Sequence, residues 1–151
     1  MCGLFGFMTR DGHGPDIARL KRITIATERR GRHAFGLAWI SADEGLHMFK
    51  RPEPATANLD DLDQCAGALV VVGHCRYATH GTWEDNRNNH PHRAGGGWIA
   101  HNGVVHNHAS LVRQYGLAPR TACDSEVLGL LLAKIRGSLE RRAACTARLA
   151  D

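Results

Sequence analysis

Cys2 lies directly behind the starting residue in Met1-Cys2-Gly3-Leu4-Phe5-Gly6. Methionine is normally trimmed before a residue this small, and its removal leaves a thiol and a free α-amine on one carbon. An α-amine is partly neutral near cellular pH and can take the thiol's proton as attack begins, so the pair is a nucleophile with its own base. A lone cysteine at position two is also compatible with simple burial, so the rest of the chain must decide its use. The other chemistry-bearing residues narrow the choice. Ten histidines are present, several of them crowded into residues 74–108, but their spacing matches no HExxH or paired CxxC ligand set. Five cysteines, an odd number without a CxxC pair, suit neither a disulfide framework nor a thiolate zinc site. No metal is expected, and a reducing compartment suits a free thiol. The net charge of +4 is dispersed; its densest knots are Arg29-Arg30-Gly31-Arg32 and Arg141-Arg142. Without a basic face or a recognisable module, nucleic acid is not an expected partner.

The elements that must position Cys2 can be read from periodicity. At 151 residues the chain has room for one domain. No run of eighteen apolar residues and no signal-peptide layout occurs, so a soluble, cytoplasmic protein without membrane association is expected. Residues 4–8 read as a buried first strand carrying Cys2 at its mouth. Pro15 and Asp16 open a helix that Gly31 closes. Residues 36–40 and 46–49 read as a hairpin joined through Ser41-Ala42-Asp43-Glu44-Gly45, and 52–64 as loop or irregular turns. Residues 68–73, with Leu69-Val70-Val71-Val72, predict a strand covered on both faces. The polar stretch 74–97 is too long for an idle connection and reads as a functional loop. Residues 97–100 resume a strand, Asn102-Gly103 is a tight-turn dipeptide, and Val104-Val105 would form the second arm. Helices follow at 108–115 and from Asp124 onward, the second with Val127, Leu128, Leu131, Leu132 and Ile135 on one face.

Four segments line up with Cys2: Arg30-Gly31-Arg32-His33-Ala34-Phe35-Gly36, Gly73-His74-Cys75-Arg76-Tyr77-Ala78-Thr79-His80-Gly81, His101-Asn102-Gly103, and Cys123-Asp124-Ser125-Glu126-Val127. With the N-terminal motif they resemble, in order and spacing, the glutaminase domain of class II glutamine amidotransferases, which are N-terminal nucleophile hydrolases. Residues 73–81 are most similar to the glucosamine-6-phosphate synthase branch. The resemblance covers residues 2 to about 135. It implies an α+β fold, a four-layer αββα sandwich of two antiparallel sheets in shortened form. It also implies L-glutamine as substrate, no cofactor, and ammonia release through a thioester on Cys2.

Carried over residue by residue, the resemblance makes Asn102 and Gly103 the oxyanion hole, although the same dipeptide suits an ordinary hairpin turn. Arg76 would clamp the substrate's α-carboxylate through two parallel hydrogen bonds, where a surface salt bridge is the alternative. Thr79, His80 and Gly81 would shape the carboxylate site, and for His80 a packing role is as consistent. Asp124 would bind the α-ammonium, or serve as a helix N-cap. Arg30 and Gly31 would support the nucleophile's surroundings. Two departures stand out. His33 and Ala34 occupy positions where glucosamine synthases carry aspartate and serine, and residues 136–151 read as a charged helical tail where the family continues into further strands. The whole chain, 1–151, is therefore expected to be a glutaminase domain with a divergent or truncated tail, dependent on a synthase partner or on self-association. A catalytically silent glutamine-binding module and a histidine-rich metal-binding domain are the alternatives.

Overall fold

In a computed structural model of the chain, which describes residues 1–43, 45–135 and 137, four strands form one antiparallel sheet. These are β1 (Gly3–Met8), β2 (Ala34–Ser41), β3 (Leu46–Arg51) and β4 (Ala68–Arg76), arranged β1-β4-β2-β3. The valine-rich β4 takes a central place, as a strand apolar on both faces must. Its C-terminal end organises the site: Gly3 pairs with Cys75, and Ala34 pairs with Arg76. The N-terminus and the start of β2 thus flank the point where β4 ends.

One face of this sheet presents Phe5, Phe35, Leu37, Trp39, Val71 and Cys75 to a helical layer. That layer holds α1 (Ile17–Glu28), whose Asp16 N-cap accepts the Arg19 N–H at 3.1 Å. Its other part is a 3-10 helix, Ala55–Cys65, where loop or irregular turns were expected. The reason is a period of three: Leu59, Leu62 and Cys65 recur once per 3-10 turn and pack into the core, while Asp60, Asp61 and Asp63 stay outside it.

The opposite face presents Gly36, Ala38, Val70, Val72 and His74 to a second antiparallel sheet, β5 (His92–Ala94) with β6 (Gly97–Ile99). The loop that leads into β5 approaches β2 so closely that a Cβ at Gly36 would sit 2.0 Å from the His90 carbonyl oxygen. Outside the second sheet, α2 (His108–Tyr115) and α3 (Ser125–Lys134) enclose Val105, Leu111, Val127, Leu128 and Leu131. The layers therefore run helix, sheet, sheet, helix, the αββα order that the resemblance implies.

Several elements differ from expectation. β1 is an edge strand with Leu4 and Met8 exposed, because only one of its faces meets a helix. Val104 and Val105 form no strand: β6 pairs instead with β5, and the Val105 N–H goes to the Asp124 carboxylate rather than to a ladder. The register also sets Leu4, Met8, Leu46 and Met48 on the face that looks toward the second sheet, all of them exposed. Among the described residues that sheet has two strands against four, too few to cover this face. Apart from Gly137, the tail expected at 136–151 lies outside the described residues, among which no helix is long and apolar enough to cross a membrane.

Candidate active site

Cys2 sits beside the end of β4, half-buried, with Tyr77 bracketing its sulfur. The Tyr77 N–H donates to Sγ at 3.3 Å and the Tyr77 carbonyl accepts from it at 3.4 Å. Arg30, just past α1, donates from Nε to the Cys2 carbonyl at 3.0 Å and so fixes the backbone of Cys2. Gly31 lies against the same point. A Cβ there would fall 2.5 Å from the Arg76 carbonyl carbon and 2.7 Å from the Tyr77 nitrogen, a gap that only glycine fits.

Arg76 is buried and, among the described residues, makes no salt bridge, which argues against the surface reading. Its Nη1 donates to Asn89 Oδ1 at 2.7 Å, and its Nη2 donates to the carbonyls of His80 and Gly81, the latter at 3.0 Å. Both Nη2 hydrogens are thus engaged in shaping the 79–81 turn, so the guanidinium does not present the two-pronged fork that the sequence suggests. Gly81 is needed in that turn for its φ of +69°, and its open side faces the Asn88 amide. Asn88 and Asn89 tie the loop together: Asn88 Nδ2 donates to the Thr82 carbonyl and Asn89 Nδ2 to the Trp83 carbonyl, at 2.9 and 2.8 Å.

Asp124 is buried and makes no capping bond to α3; its own φ/ψ are helical. The N-cap reading fails because Oδ2 instead accepts the Val105 N–H at 2.5 Å. Oδ1 lies 3.9 Å from His80 Nδ1 and 3.9 Å from Cys123 Sγ. His80 therefore has its ring toward Asp124 and its carbonyl toward Arg76.

Asn102 and Gly103 are exposed and belong to no hairpin. Among the described residues the Asn102 amide has no hydrogen-bond partner, leaving it available to something outside the protein. The flanking residues are held tightly instead. His101 has its carbonyl on His74 Nε2 at 3.1 Å, its N–H on His90 Nδ1 at 3.1 Å and its ring Nδ1 on Ser125 Oγ at 3.0 Å. His33, one of the two departures, accepts the Ala78 N–H on Nδ1 at 3.0 Å and stacks on Tyr77 at 4.7 Å. An aspartate oxygen could accept the same N–H, so the replacement preserves an acceptor for the 77–81 segment.

Sequence reasoning left the parts played by His33, His74, His90, Asn88 and Asn89 unassigned. The crowding of histidines was the available signal, and burial explains it. Desolvation lowers His74 to about 4 and His92 to about 3, and holds His90 well below the ordinary histidine value. In the unfolded chain each would titrate near 6.5, so as pH falls below that value the unfolded state takes up protons that the native state refuses. This contribution is complete above about pH 6.5 and is lost progressively as pH falls, down to about pH 4 for His74 and about pH 3 for His92, on the order of 3 kcal/mol from His74 alone. Urea midpoints measured from pH 7 to 4.5 should fall steadily; a flat profile would show that these rings titrate alike in both states.

His90, His92 and Cys123 bring potential metal-ligand atoms within 4.8 Å of one another. The donor set nevertheless does not suit a metal. Because His90 Nδ1 accepts an N–H from His101, the ring proton must sit on Nε2, the nitrogen 3.4 Å from Cys123 Sγ. That nitrogen donates to sulfur and has no lone pair to offer.

No protein-family profile matches the chain. Over 99% of its length it is 36% identical to a glutamine–fructose-6-phosphate aminotransferase (isomerizing) of Rhizobium meliloti, and over 83% of its length it is 33% identical to that of Halalkalibacterium halodurans. It spans 25% and 20% of these two proteins, about a quarter or less of each. Among solved structures, the glutamine phosphoribosylpyrophosphate amidotransferase of B. subtilis complexed with ADP and GMP superposes over 98% of this chain and 33% of its own, with a TM-score of 0.74 and 24% identity. A structure described as the allosteric regulatory enzyme of purine biosynthesis gives a TM-score of 0.75 at 24% identity, with the same coverage. At that identity the likeness is one of fold.

Proposed function

The chain belongs to the class II glutamine amidotransferases of the N-terminal nucleophile type, and from that premise we propose that it hydrolyses the side-chain amide of L-glutamine and releases ammonia. The observation that carries this reading is the convergence at the end of β4, where Cys2 Sγ meets Tyr77 beside the Arg76 turn. With Met1 removed, the new α-amine takes the thiol proton while sulfur attacks the amide carbon. The tetrahedral oxyanion is met by Asn102 Nδ2 and the Gly103 N–H. Collapse breaks the C–N bond, the amine returns its proton to the leaving nitrogen, and ammonia departs from a γ-glutamyl thioester. Water then hydrolyses the thioester to glutamate and restores the thiol.

Arg76 supplies positive charge and its remaining N–H groups to the α-carboxylate, with Thr79, His80 and Gly81 forming the wall of that site. Asp124 Oδ1 receives the α-ammonium while Oδ2 stays on Val105. The mechanism needs no cofactor, and a cytoplasmic setting suits its free thiol. Intact mass before and after incubation with the glutamine mimic 6-diazo-5-oxo-L-norleucine tests the reading. A single adduct on a chain lacking Met1, together with ammonia release from glutamine, is expected. A processed chain that takes no adduct and makes no ammonia would refute it, and a chain that retains Met1 and binds glutamine without turnover would point to the silent module.

The acceptor for the ammonia belongs to a synthase partner or to the remainder of a longer chain, and the uncovered sheet face with Leu4, Met8, Leu46 and Met48 supports such an association. Light scattering should therefore find more than a monomer, with specific activity rising with concentration or partner. A monomer of constant specific activity would remove this part of the proposal.

A further inference from the structure

The residue before the oxyanion dipeptide is gripped on both its backbone polar groups by two histidines, one on β4 and one in the loop that precedes β5. His74 on β4 reaches the His101 carbonyl with Nε2, and His90 reaches the His101 N–H with Nδ1, each at 3.1 Å. The two rings stack with centroids 4.1 Å apart and planes 15° from parallel, so neither can turn without displacing the other. The bonds fix the tautomers: a carbonyl accepts only, so His74 carries its proton on Nε2, and an N–H donates only, so His90 keeps a lone pair on Nδ1. His90 then donates from Nε2 to Cys123 Sγ at 3.4 Å. Two residues beyond Gly103, the Val105 N–H is held by Asp124. Residues 102 and 103 therefore span a short bridge clamped at both ends.

We infer that His74 and His90 are positioning residues of the oxyanion hole, a stacked pair that sets where Asn102 Nδ2 and the Gly103 N–H point without touching glutamine. The inference rests on the glutaminase reading. Burial supports it, since the depressed basicity of both rings keeps them neutral, and a protonated His90 would turn a second N–H toward that of His101. Displacement of catalytic donors by a fraction of an ångström to 1 Å costs rate more than binding.

The clamp makes a mirrored prediction. Asparagine can place its oxygen where a histidine has Nδ1, and glutamine can place its amide N–H where a histidine has Nε2–H. At position 90, where an acceptor is needed on the Nδ1 side, His90→Asn should keep a kcat about tenfold above His90→Gln. At position 74, where a donor is needed on the Nε2 side, the order should reverse, with His74→Gln about tenfold above His74→Asn. KM for glutamine should stay within about threefold throughout, as expected when only transition-state contacts move. Hydrogen–deuterium exchange of the peptide containing residues 101–103 should rise in the two slow variants while β1 peptides stay protected, a readout that needs no turnover. Equal kcat for Asn and Gln at both positions, or losses confined to KM, would overturn the clamp while leaving the glutaminase reading intact. A wild-type chain that lacks Met1 yet releases no ammonia would overturn both.

Discussion

Cys2→Ala and Cys2→Ser are each expected to lower ammonia release from glutamine by about 10³-fold or more, because no other thiol in the described structure can replace it. Cys65 and Cys75 are buried, and burial pushes both thiols up to about 12; Cys123 is buried and raised as well. Cys2 alone among the four described cysteines is partly open to solvent, and the carbonyl of its own residue is pinned by Arg30. Serine would keep the α-amine base but offer a much weaker nucleophile. A second arm separates nucleophile from base: wild-type chain produced with Met1 retained should be as inactive as Cys2→Ala, since its residue-2 nitrogen is an amide without proton affinity. Met1 is exposed, so its removal meets no steric barrier. The assay couples ammonia release to intact mass on the same sample. Turnover by protein confirmed to carry Met1 would refute the α-amine as base, and turnover by Cys2→Ala would refute the nucleophile.

What the sequence disclosed follows from how locally each signal is written. The unbroken Leu69-Val70-Val71-Val72 run marked a central strand, and Asp16, Pro15 and Gly31 bracketed α1, because these signals sit within a few residues of what they determine. The 3-10 helix Ala55–Cys65 escaped because its period of three matches neither the helical nor the strand template. β5 escaped because His92, Arg93 and Ala94 show no apolar alternation and are recruited only by pairing with β6 under α3. In the site, Cys2, Arg30, Gly31, Arg76 and Asp124 were legible as residue types in motifs. Their hydrogen-bond assignments were not. Arg76 is engaged with the carbonyls of its own turn, four and five residues on, and Asp124 is diverted from capping to Val105, nineteen residues back; both outcomes depend on how the loops fold, which residue type and periodicity do not encode. His33 illustrates the same limit: by type it looked like a loss of the family's carboxylate, and by geometry it supplies an acceptor to Ala78.

Asn102→Ala should lower kcat by about 10²–10³ and leave KM for glutamine nearly unchanged. The Asn102 amide is exposed and has no hydrogen-bond partner among the described residues, so truncating it should leave folding unaffected. In the role proposed for it, its donor gains a strong partner only when the amide carbonyl becomes an oxyanion, which would confine the loss to the transition state. Arg76→Lys and Asp124→Asn should behave differently, chiefly raising KM, because a carboxylate and an ammonium are held alike before and during reaction. Arg76→Lys also removes the grip on the His80 and Gly81 carbonyls, so some loss of stability accompanies it, detectable as a lower thermal midpoint; Asn102→Ala should show none. Steady-state kinetics on the three variants decide the assignment together. An Asn102→Ala chain with intact kcat, beside an Arg76→Lys chain that binds glutamine normally but turns it over slowly, would mean that charge at Arg76 rather than the Asn102 amide meets the developing oxyanion, and the roles proposed for these two residues would have to be exchanged.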